Sequence, residues 1–240
     1  MALPDNLIPA DDQARLQALG RYQHLSNLGE PFFNELVRLT AKLFAAPIAL
    51  VSLVEERTVL FAGNVGLPGA ERVARDISLC SVAILQEETT VFENLTEQPC
   101  TLTDPFLLRA LHLNFYAGHA LRTTDGHAIG SLCVIDRRAR TFSADEQALL
   151  ASLAAVTMEV FELRAAMAQD PHVAPALWEA IYARIMPSLH RLNTLAELNL
   201  WEETADTPAA VAYSQSQYEE TTRIVDALHQ EISTALVRFA

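Results

Sequence analysis

The chain has 240 residues, half of them hydrophobic and a fifth charged, and a formal net charge of −13. This is the balance of a folded globular chain, and its acidic excess argues against nonspecific binding to nucleic acid or anionic lipid, since both require basic surface. No apolar run approaches the roughly 18 to 20 residues that span a bilayer, and no signal-peptide layout precedes the first helix, so we expect a cytoplasmic protein with no membrane partner. The cysteines Cys80, Cys100 and Cys133 contain no C-x-x-C pair and predict neither a disulfide framework nor a structural zinc.

The hydropathy pattern changes from helical to strand-like near residue 48. Residues 48–54 are apolar on both faces, which is typical of a strand covered on both sides. Thr124, Asp125 and Gly126 form a turn signal between two apolar segments and predict a hairpin. In chain order, the predicted elements are helices at about 12–28 and 31–44, strands at 48–54 and 58–62, a loop at 64–77, a short helix at 78–85, a strand at 89–92, a loop at 94–105, and a hairpin of 114–121 with 128–135.

Three helical stretches follow the hairpin. Ser143 and Glu146 have the spacing of a capping box and predict the start of a long helix. Its apolar positions step alternately by four and three, the spacing of a heptad seam: Leu149, Leu153, Val156, Val160, Leu163 and Met167. After Pro171 and Pro175, two further helices are predicted at about 176–200 and 209–238. We expect these to form a helical hairpin, and the apolar rows predict a homodimer through the helices.

This order of elements predicts an α+β fold, with a central antiparallel sheet flanked by helices and followed by the C-terminal hairpin. At the residue level the chain resembles the GAF domain family. The motifs that carry the likeness are Pro47–Val54, Phe115–Gly118, Ile129–Asp136 (close to the family's I-G-T-L-C-V-I-D strand) and Arg75–Cys80 (close to its R-x-x-S-F-C segment). The likeness covers about residues 15–168. It predicts an N-terminal tail at 1–14, a GAF domain at 15–168 and the hairpin at 169–240.

The resemblance implies a non-catalytic sensory module in signal transduction, which binds a small molecule between the sheet and a covering helix. Family ligands include cyclic nucleotides, bilins, haem, oxo-acids and small anions, so the resemblance leaves the ligand and any cofactor unknown. The implied pocket lies beside helix 78–85, the 94–113 loop and the hairpin. Its ligand-binding candidates are Arg75, Ser78, Cys80, Ser81, Tyr116 and His119. Side chains alternate along a strand, so only one of Tyr116 and His119 can face the pocket. Arg75 beside a helix N-terminus favours an anionic ligand.

Two other functions stay open on the residues. Ser188–Ala196 is similar to the phosphoacceptor box of one histidine-kinase class, which would make His190 an acceptor of phosphate from a signalling partner. One GAF family reduces free methionine sulfoxide with cysteines in the pocket loops, and Cys80 and Cys100 fit such loops. Cys133, inside a strand, is predicted to be core packing. The histidine spacing predicts no metal site.

Overall fold

The computed structural model describes residues 3–22, 31–168, 174–200 and 208–237. Its helices are α1 (Asp12–Gly20), α2 (Pro31–Leu43), α3 (Cys80–Ala83), α4 (Phe106–Ala110), α5 (Ala144–Met167), α6 (Ala174–Leu200) and α7 (Pro208–Leu236), with 3-10 turns at Asp5–Leu7 and Arg75–Ile77. Its strands are β1 (Ile48–Val54), β2 (Thr58–Val65), β3 (Arg72–Ala74), β4 (Thr90–Phe92), β5 (Phe115–Arg122) and β6 (Ala128–Asp136). They pair in antiparallel fashion in the spatial order β3-β2-β1-β6-β5-β4. The predicted α+β fold is confirmed.

The central strands β1 and β6 are covered on both faces. Every residue of β1 is buried, and so is every residue of β6 before Asp136. Both strands have paired neighbours at each edge and packed layers on each face, which is why residues 48–54 are apolar without alternation. One face of the sheet packs against α2 and α5, and the other packs against α3 and the loops around it. The candidate site lies on this second face.

The long helix α5 begins at the predicted capping box, in which Ser143 Oγ accepts from the Glu146 N–H and the Glu146 carboxylate accepts from the Ser143 N–H. Its seam is buried within the chain, as is a second row beside it: Leu150, Ala154, Thr157 and Phe161. Helix α5 contacts β5 and β6 on one side and α7 on the other. The seam that predicts a homodimer therefore already has an intramolecular partner.

Helices α2, α5, α7 and α6 form a closed ring of contacts. Helix α2 touches α5 and α6, and α7 touches the same two helices from the opposite corner. Lys42 Nζ donates to Asn193 Oδ1 at 2.6 Å, which joins α2 to α6. The Tyr218 hydroxyl donates to the Asp145 carbonyl at 3.0 Å, which joins α7 to α5. Within the described ranges, no helix combines the length and the apolar character that crossing a membrane requires.

A buried arginine pair fixes the N-terminal segment to the sheet. The side chains of Arg15 and Arg75 are 1% and 0% exposed, and both bond to Asp12: Arg15 Nε at 2.8 Å and Arg75 Nη2 at 3.0 Å from Oδ1. Arg15 also donates to the Val54 carbonyl at 2.5 Å, and Arg75 donates to the Leu7 carbonyl at 3.2 Å. These bonds join α1 and the first 3-10 turn to β1 and the turn before α3.

One carboxylate thus serves two buried cations. Burial raises the pKa of Asp12, but hydrogen bonds from Arg75 and Arg15 outweigh burial and hold the pKa below its usual range. Arg15 Nη2 and Arg75 Nε are buried without a hydrogen-bond partner among the described residues. The Asp12 charge is therefore the main compensation for two cations removed from water, and its loss is expected to be costly.

Two segments differ from the predicted elements. Residues 64–77 are not one loop: they contain the end of β2, the edge strand β3 and a 3-10 turn, and a three-residue strand is too short to show alternation. The helix predicted at 78–85 is a single turn, and Ser78 Oγ accepts from the Cys80 N–H at 3.3 Å without capping a longer helix. The first predicted helix is observed over Asp12–Gly20, and residues 23–30 lie outside the described ranges.

Truncating Leu228 tests the packing of α7 on α5. Leu228 is fully buried, so Leu228→Ala is expected to lower the free energy of unfolding by about 2 to 5 kcal/mol in a denaturant titration. Asp226→Ala is the matched control on the same helix, since Asp226 is exposed and its loss should change stability by less than about 0.5 kcal/mol. Equal small effects from both variants would contradict the packing of α7.

Removing the Asp12 charge tests the buried arginine pair. Asp12→Asn is expected to destabilise the fold by about 3 to 5 kcal/mol at neutral pH, because two buried cations lose their carboxylate. Asp11→Asn, at a half-exposed carboxylate paired with His127, should cost under about 1 kcal/mol.

The pH dependence gives a second test of the same pair. The folded-state pKa of Asp12 is lowered, so its stabilisation is fully present above the unfolded pKa of about 3.9 and is lost as pH falls through the folded pKa. The difference in stability between wild type and Asp12→Asn should therefore narrow below about pH 4. A difference that stays constant down to acid unfolding would contradict the assignment.

Candidate functional site

The alternation of side chains along β5 decides which residues face α3. Tyr116 and Ala120 lie in the core beneath α3, whereas Phe115, Ala117 and Leu121 lie in the core beneath α2 and α5. His119 pairs in register with Leu132, a residue of the α2–α5 side. The structure therefore places Tyr116 on the side of the predicted pocket and His119 on the opposite side.

A glycine makes room for the Tyr116 ring. Gly118 lies between Thr90 of β4 and Cys133 of β6 in the sheet register. A Cβ atom on Gly118 would lie 2.2 Å from the Tyr116 hydroxyl oxygen and 2.6 Å from the ring carbon that bears it. Such distances are far inside van der Waals contact, so the ring covers the position where any other residue would place its side chain.

A cluster of thiols and hydroxyls, which we call the thiol–hydroxyl cluster, lies between α3 and the centre of the sheet. It consists of Cys80, Cys133, Ser52, Ser131 and Ser78. Ser52 Oγ lies 3.0 Å from Ser131 Oγ and donates to the Ser131 carbonyl at 3.1 Å. Cys80 Sγ lies 3.8 Å from Cys133 Sγ. The cluster is a polar strip in an otherwise apolar layer.

The two thiols titrate as a coupled pair. The hydrogen bond from Cys133 lowers the pKa of Cys80 to about 6; burial opposes this, and the hydroxyls of Ser52, Ser131 and Ser78 support it. The hydrogen bond to Cys80 and burial raise the pKa of Cys133 well above its usual range. Of the two thiols, Cys80 is therefore the one that loses its proton more readily.

Two buried hydroxyls beside the cluster have no hydrogen-bond partner among the described residues. These are Tyr116 OH and Thr90 Oγ1. Burial raises the pKa of Tyr116 well above its usual value, so the phenol stays protonated and remains a donor. The Tyr116 hydroxyl interacts with Ser131, Cys80 and Cys133 without forming a well-aligned hydrogen bond to any of them. An unsatisfied buried polar group costs about 1 to 3 kcal/mol, so Thr90 Oγ1 has the stronger preference for a partner. Thr90 is paired with Gly118 in the sheet register, and the Tyr116 hydroxyl lies over Gly118.

A cleft of about 390 Å³ opens on the outer side of this region. Its lining residues come from α3, from the segment that leads into β4, and from the following loop: Val82, Gln86, Glu88, Thr89, Thr90, Phe92, Pro99, Cys100, Thr101 and Leu102. The Phe92 ring separates the cleft from Tyr116, with ring centroids 6.5 Å apart. Thr90 therefore lines the cleft itself, whereas Phe92 lies between the cleft and Tyr116.

The six predicted ligand-binding residues fall into three groups. Ser78, Cys80 and Tyr116 lie in or beside the thiol–hydroxyl cluster. Arg75 and Ser81 are buried nearby but are committed elsewhere, since Arg75 bonds to Asp12 and Ser81 Oγ donates to the Arg75 carbonyl at 2.8 Å. On the far side of the sheet, His119 Nδ1 lies 3.0 Å from Thr89 Oγ1, and burial lowers the pKa of His119. A role in ligand binding stays a prediction for all six.

Sequence reasoning did not select Ser52, Ser131, Thr90 or Gly118, and it assigned Cys133 to core packing. Ser52 and Ser131 are isolated hydroxyls in apolar strands, and this signal is visible in the sequence. That they face each other follows only from the register between β1 and β6. Of the residues behind the alternative functions, Cys100 lines the cleft and His190 lies exposed on α6. The described residues hold no cluster of histidine, cysteine and carboxylate side chains suited to a metal ion.

Comparison with known proteins identifies the family to which this chain belongs. The GAF domain family model matches residues 29–159. A cyclic di-GMP phosphodiesterase of Pseudomonas aeruginosa is 31% identical over 132 residues, which are 55% of this chain and 22% of that protein. The chain thus spans about a fifth of the length of this curated relative.

Two solved structures are similar at lower identity. A free methionine-R-sulfoxide reductase of Neisseria meningitidis is 16% identical, with a TM-score of 0.47, and the match covers 67% of this chain and 95% of that one. The GAF domain of an Acinetobacter phosphoenolpyruvate-protein phosphotransferase is 18% identical, with a TM-score of 0.46, over 62% of this chain and 92% of that one. Neither likeness is strong enough to bear on chemistry. The family model, however, covers more than half of the sequence, and the chain therefore belongs to the GAF domain family.

Proposed function

We propose that the chain is a sensory module of signal transduction, which binds a small molecule between α3 and the sheet. The observation that carries this proposal is the pair of hydroxyls without a well-aligned hydrogen bond, Tyr116 OH and Thr90 Oγ1, buried beside the thiol–hydroxyl cluster and next to an open cleft. Ligand sites are mostly apolar with a few convergent polar groups, and this region has that composition. A bound molecule that accepts from Tyr116 and Thr90 would remove an energetic cost of the free protein.

The Tyr116 ring occupies the space that such a ligand would use. It lies over Gly118, where no other side chain competes, and the Phe92 ring beside it borders the cleft. Rotation of Tyr116 and Phe92 toward the cleft would open the space above Gly118, with Thr90, Cys133 and the two serines exposed to the ligand. We therefore expect Tyr116 to act as a gate to the site.

The ion pair that Arg75 already forms with Asp12 limits the ligands that Arg75 could bind. An anion at Arg75 would have to displace Asp12, which also compensates Arg15. The groups left for a ligand are hydroxyls and thiols, which recognise hydrogen-bonding groups more readily than an isolated charge. We therefore propose a ligand with both apolar surface and neutral hydrogen-bonding groups. The anionic character predicted from Arg75 has no support in this arrangement.

A route for the signal leads from Tyr116 to the helices. Its neighbour Phe115 projects from the opposite face of β5 and contacts Phe142, with ring centroids 5.6 Å apart. Phe142 directly precedes the capping box of α5, and α5 packs against α7. A movement of β5 would thus reach the helices, where a signalling partner could bind.

The proposal is for a module without catalysis of its own. Phosphodiesterase activity belongs to the relative, of which this chain matches 22%, and phosphotransfer by His190 has no specific observation in its favour. Incubation with cyclic di-GMP, with free methionine sulfoxide plus a thiol reductant, or with a phosphorylated regulator should leave each substrate unchanged. Turnover of any of the three would overturn the non-catalytic assignment.

Homodimerisation also stays a prediction. Val160 and Val225, within the apolar rows that predict the dimer, are fully buried within one chain, so these rows no longer support it. Light scattering at micromolar concentration decides the question: twice the monomer mass would require a surface other than the α5 seam.

Thermal denaturation with a metabolite library tests the ligand site. A compound that binds only the folded state stabilises the protein by about 2.7 kcal/mol when its concentration is 100 times its Kd. The melting temperature of the protein then rises by several degrees. Ser131→Ala is expected to weaken binding about 2- to 13-fold, the effect of losing one hydrogen bond of about 0.5 to 1.5 kcal/mol. Thr157→Val is the matched control, because Thr157 is an equally buried hydroxyl on α5, away from the site.

A second variant tests the gate. Gly118→Ala places a methyl group in the space above residue 118, which the Tyr116 ring fills in the free protein and which the ligand would fill after the ring rotates away. Because this methyl group remains in the way of the ligand, the variant should lose its affinity for any compound found. If no compound raises the melting temperature of the wild type, or if Ser131→Ala and Thr157→Val weaken binding equally, the proposed site is wrong.

A further inference from the structure

The two thiols of the thiol–hydroxyl cluster lie in direct contact. Cys80 begins α3 and Cys133 lies in the middle of β6, and their sulfur atoms are 3.8 Å apart although the residues are 53 positions apart in sequence. The two residues are 2% and 0% exposed, and a distance of 3.8 Å leaves no room for a third atom between the sulfurs. Disulfide sulfurs lie about 2.05 Å apart, so a modest rotation or shift of one side chain would bring the two to bonding distance.

We propose that Cys80 and Cys133 form a reversible disulfide when a hydroperoxide enters the layer beneath α3, and that the chain thereby responds to oxidants. This inference goes beyond the small-molecule site and does not require any ligand to bind there. The pair differs from the Cys80 and Cys100 combination considered from the sequence, because Cys100 takes no part in the sulfur–sulfur contact.

The surroundings of Cys80 suit the first step. Hydroxyls of three serines and the Cys133 thiol can stabilise negative charge on its sulfur, which makes Cys80 the nucleophile of the pair. Cys133, whose proton is held more tightly, is then the resolving thiol. The assignment of roles follows from position as well, since Cys80 lies on the one-turn helix and Cys133 lies in a central strand.

The reaction balances with one peroxide. The Cys80 thiolate attacks a peroxide oxygen and the O–O bond breaks, which leaves a sulfenic acid on Cys80; the hydroxide that leaves takes a proton from solvent and becomes water. The Cys133 sulfur then attacks the Cys80 sulfur, the S–O bond breaks, and hydroxide leaves with the Cys133 proton as a second water. The two thiols lose two electrons and the peroxide gains them. A dithiol such as dithiothreitol reverses the change by exchange.

An oxidant could reach the two thiols by local opening of α3, the least stable element that covers them. Helix α3 has a single turn and no side-chain cap, and it separates the thiols from the cleft that Val82 and Cys100 line. One isolated turn of helix has little stability of its own, so local opening of α3 needs few contacts to break. Hydrogen peroxide is small enough to enter through such an opening.

Disulfide mapping on the full chain tests the proposal. The protein is treated with hydrogen peroxide, unfolded in iodoacetamide, digested and analysed by mass spectrometry, with and without dithiothreitol. We expect a peptide pair that joins Cys80 to Cys133, lacks two hydrogen atoms and disappears on reduction. The rate of its formation should fall as pH drops through about 6, since the thiolate is the attacking form. Cys100, also buried but unpaired, should be alkylated or carry added oxygen.

Variants give a second readout. Oxidation should raise the melting temperature of the wild type and of Cys100→Ala, because a cross-link restricts the unfolded chain, and should leave Cys80→Ala and Cys133→Ala unchanged. Should either of these two variants fail to fold, the map of the wild type still decides the matter. Recovery of Cys80 and Cys133 as alkylated thiols after peroxide treatment, or a disulfide from either to Cys100, would overturn the proposal.

Discussion

The architecture depends on the need to keep both faces of β1 and β6 away from water. These strands carry no polar face, so the sheet is stable only when each side has a cover. The chain covers one side with long helices that also pack on one another. It covers the other side with short pieces: one turn of α3, the loops around it and the N-terminal 3-10 turn. Because one face is covered by long helices and the other only by short segments, the candidate site lies on the face with the short segments.

The short cover has energetic consequences for function. Long helices contribute many apolar contacts that break together, whereas a single turn and loops can open locally at lower cost. The polar groups of the thiol–hydroxyl cluster sit beneath this weaker cover, where a small rearrangement would bring them into contact with a ligand or an oxidant. The helical side, by contrast, holds few buried polar side chains and suits transmission more than recognition.

Local sequence patterns predicted the elements that are determined by interactions between residues close in sequence. Residues 48–54, the Asp125–Gly126 turn and the Ser143–Glu146 capping box each carry their own signal, and the structure has β1, the β5–β6 hairpin and α5 there. The α5 seam shows the limit of such reasoning: a heptad row indicates that a helix face is covered, but not whether the cover is a second chain or α7. Strand β3 escaped prediction because pairing with β2, not its own three residues, makes it a strand.

The candidate site could likewise be predicted only where it depends on residues close in sequence. Alternation along β5 showed from sequence alone that Tyr116 and His119 face opposite sides. It could not show that Thr90, Gly118 and Cys133 form one row across three strands, since that row depends on register between distant segments. Arg75 was expected to meet an anion, and it does, but the anion is the Asp12 side chain of the same chain.

The Asp12 carboxylate also bears on where this domain begins. The family resemblance predicts a boundary near residue 15, with residues 1–14 as an N-terminal tail. A fragment cut there would retain both guanidinium groups of Arg15 and Arg75 but none of the negative charge that Asp12 contributes, and it would lose Leu7 from the core beneath α3. Deletion of residues 1–14 would thus leave two uncompensated cations inside the protein. We therefore expect that an expression fragment must begin before Leu7 to keep both the compensating charge of Asp12 and the Leu7 side chain of the core.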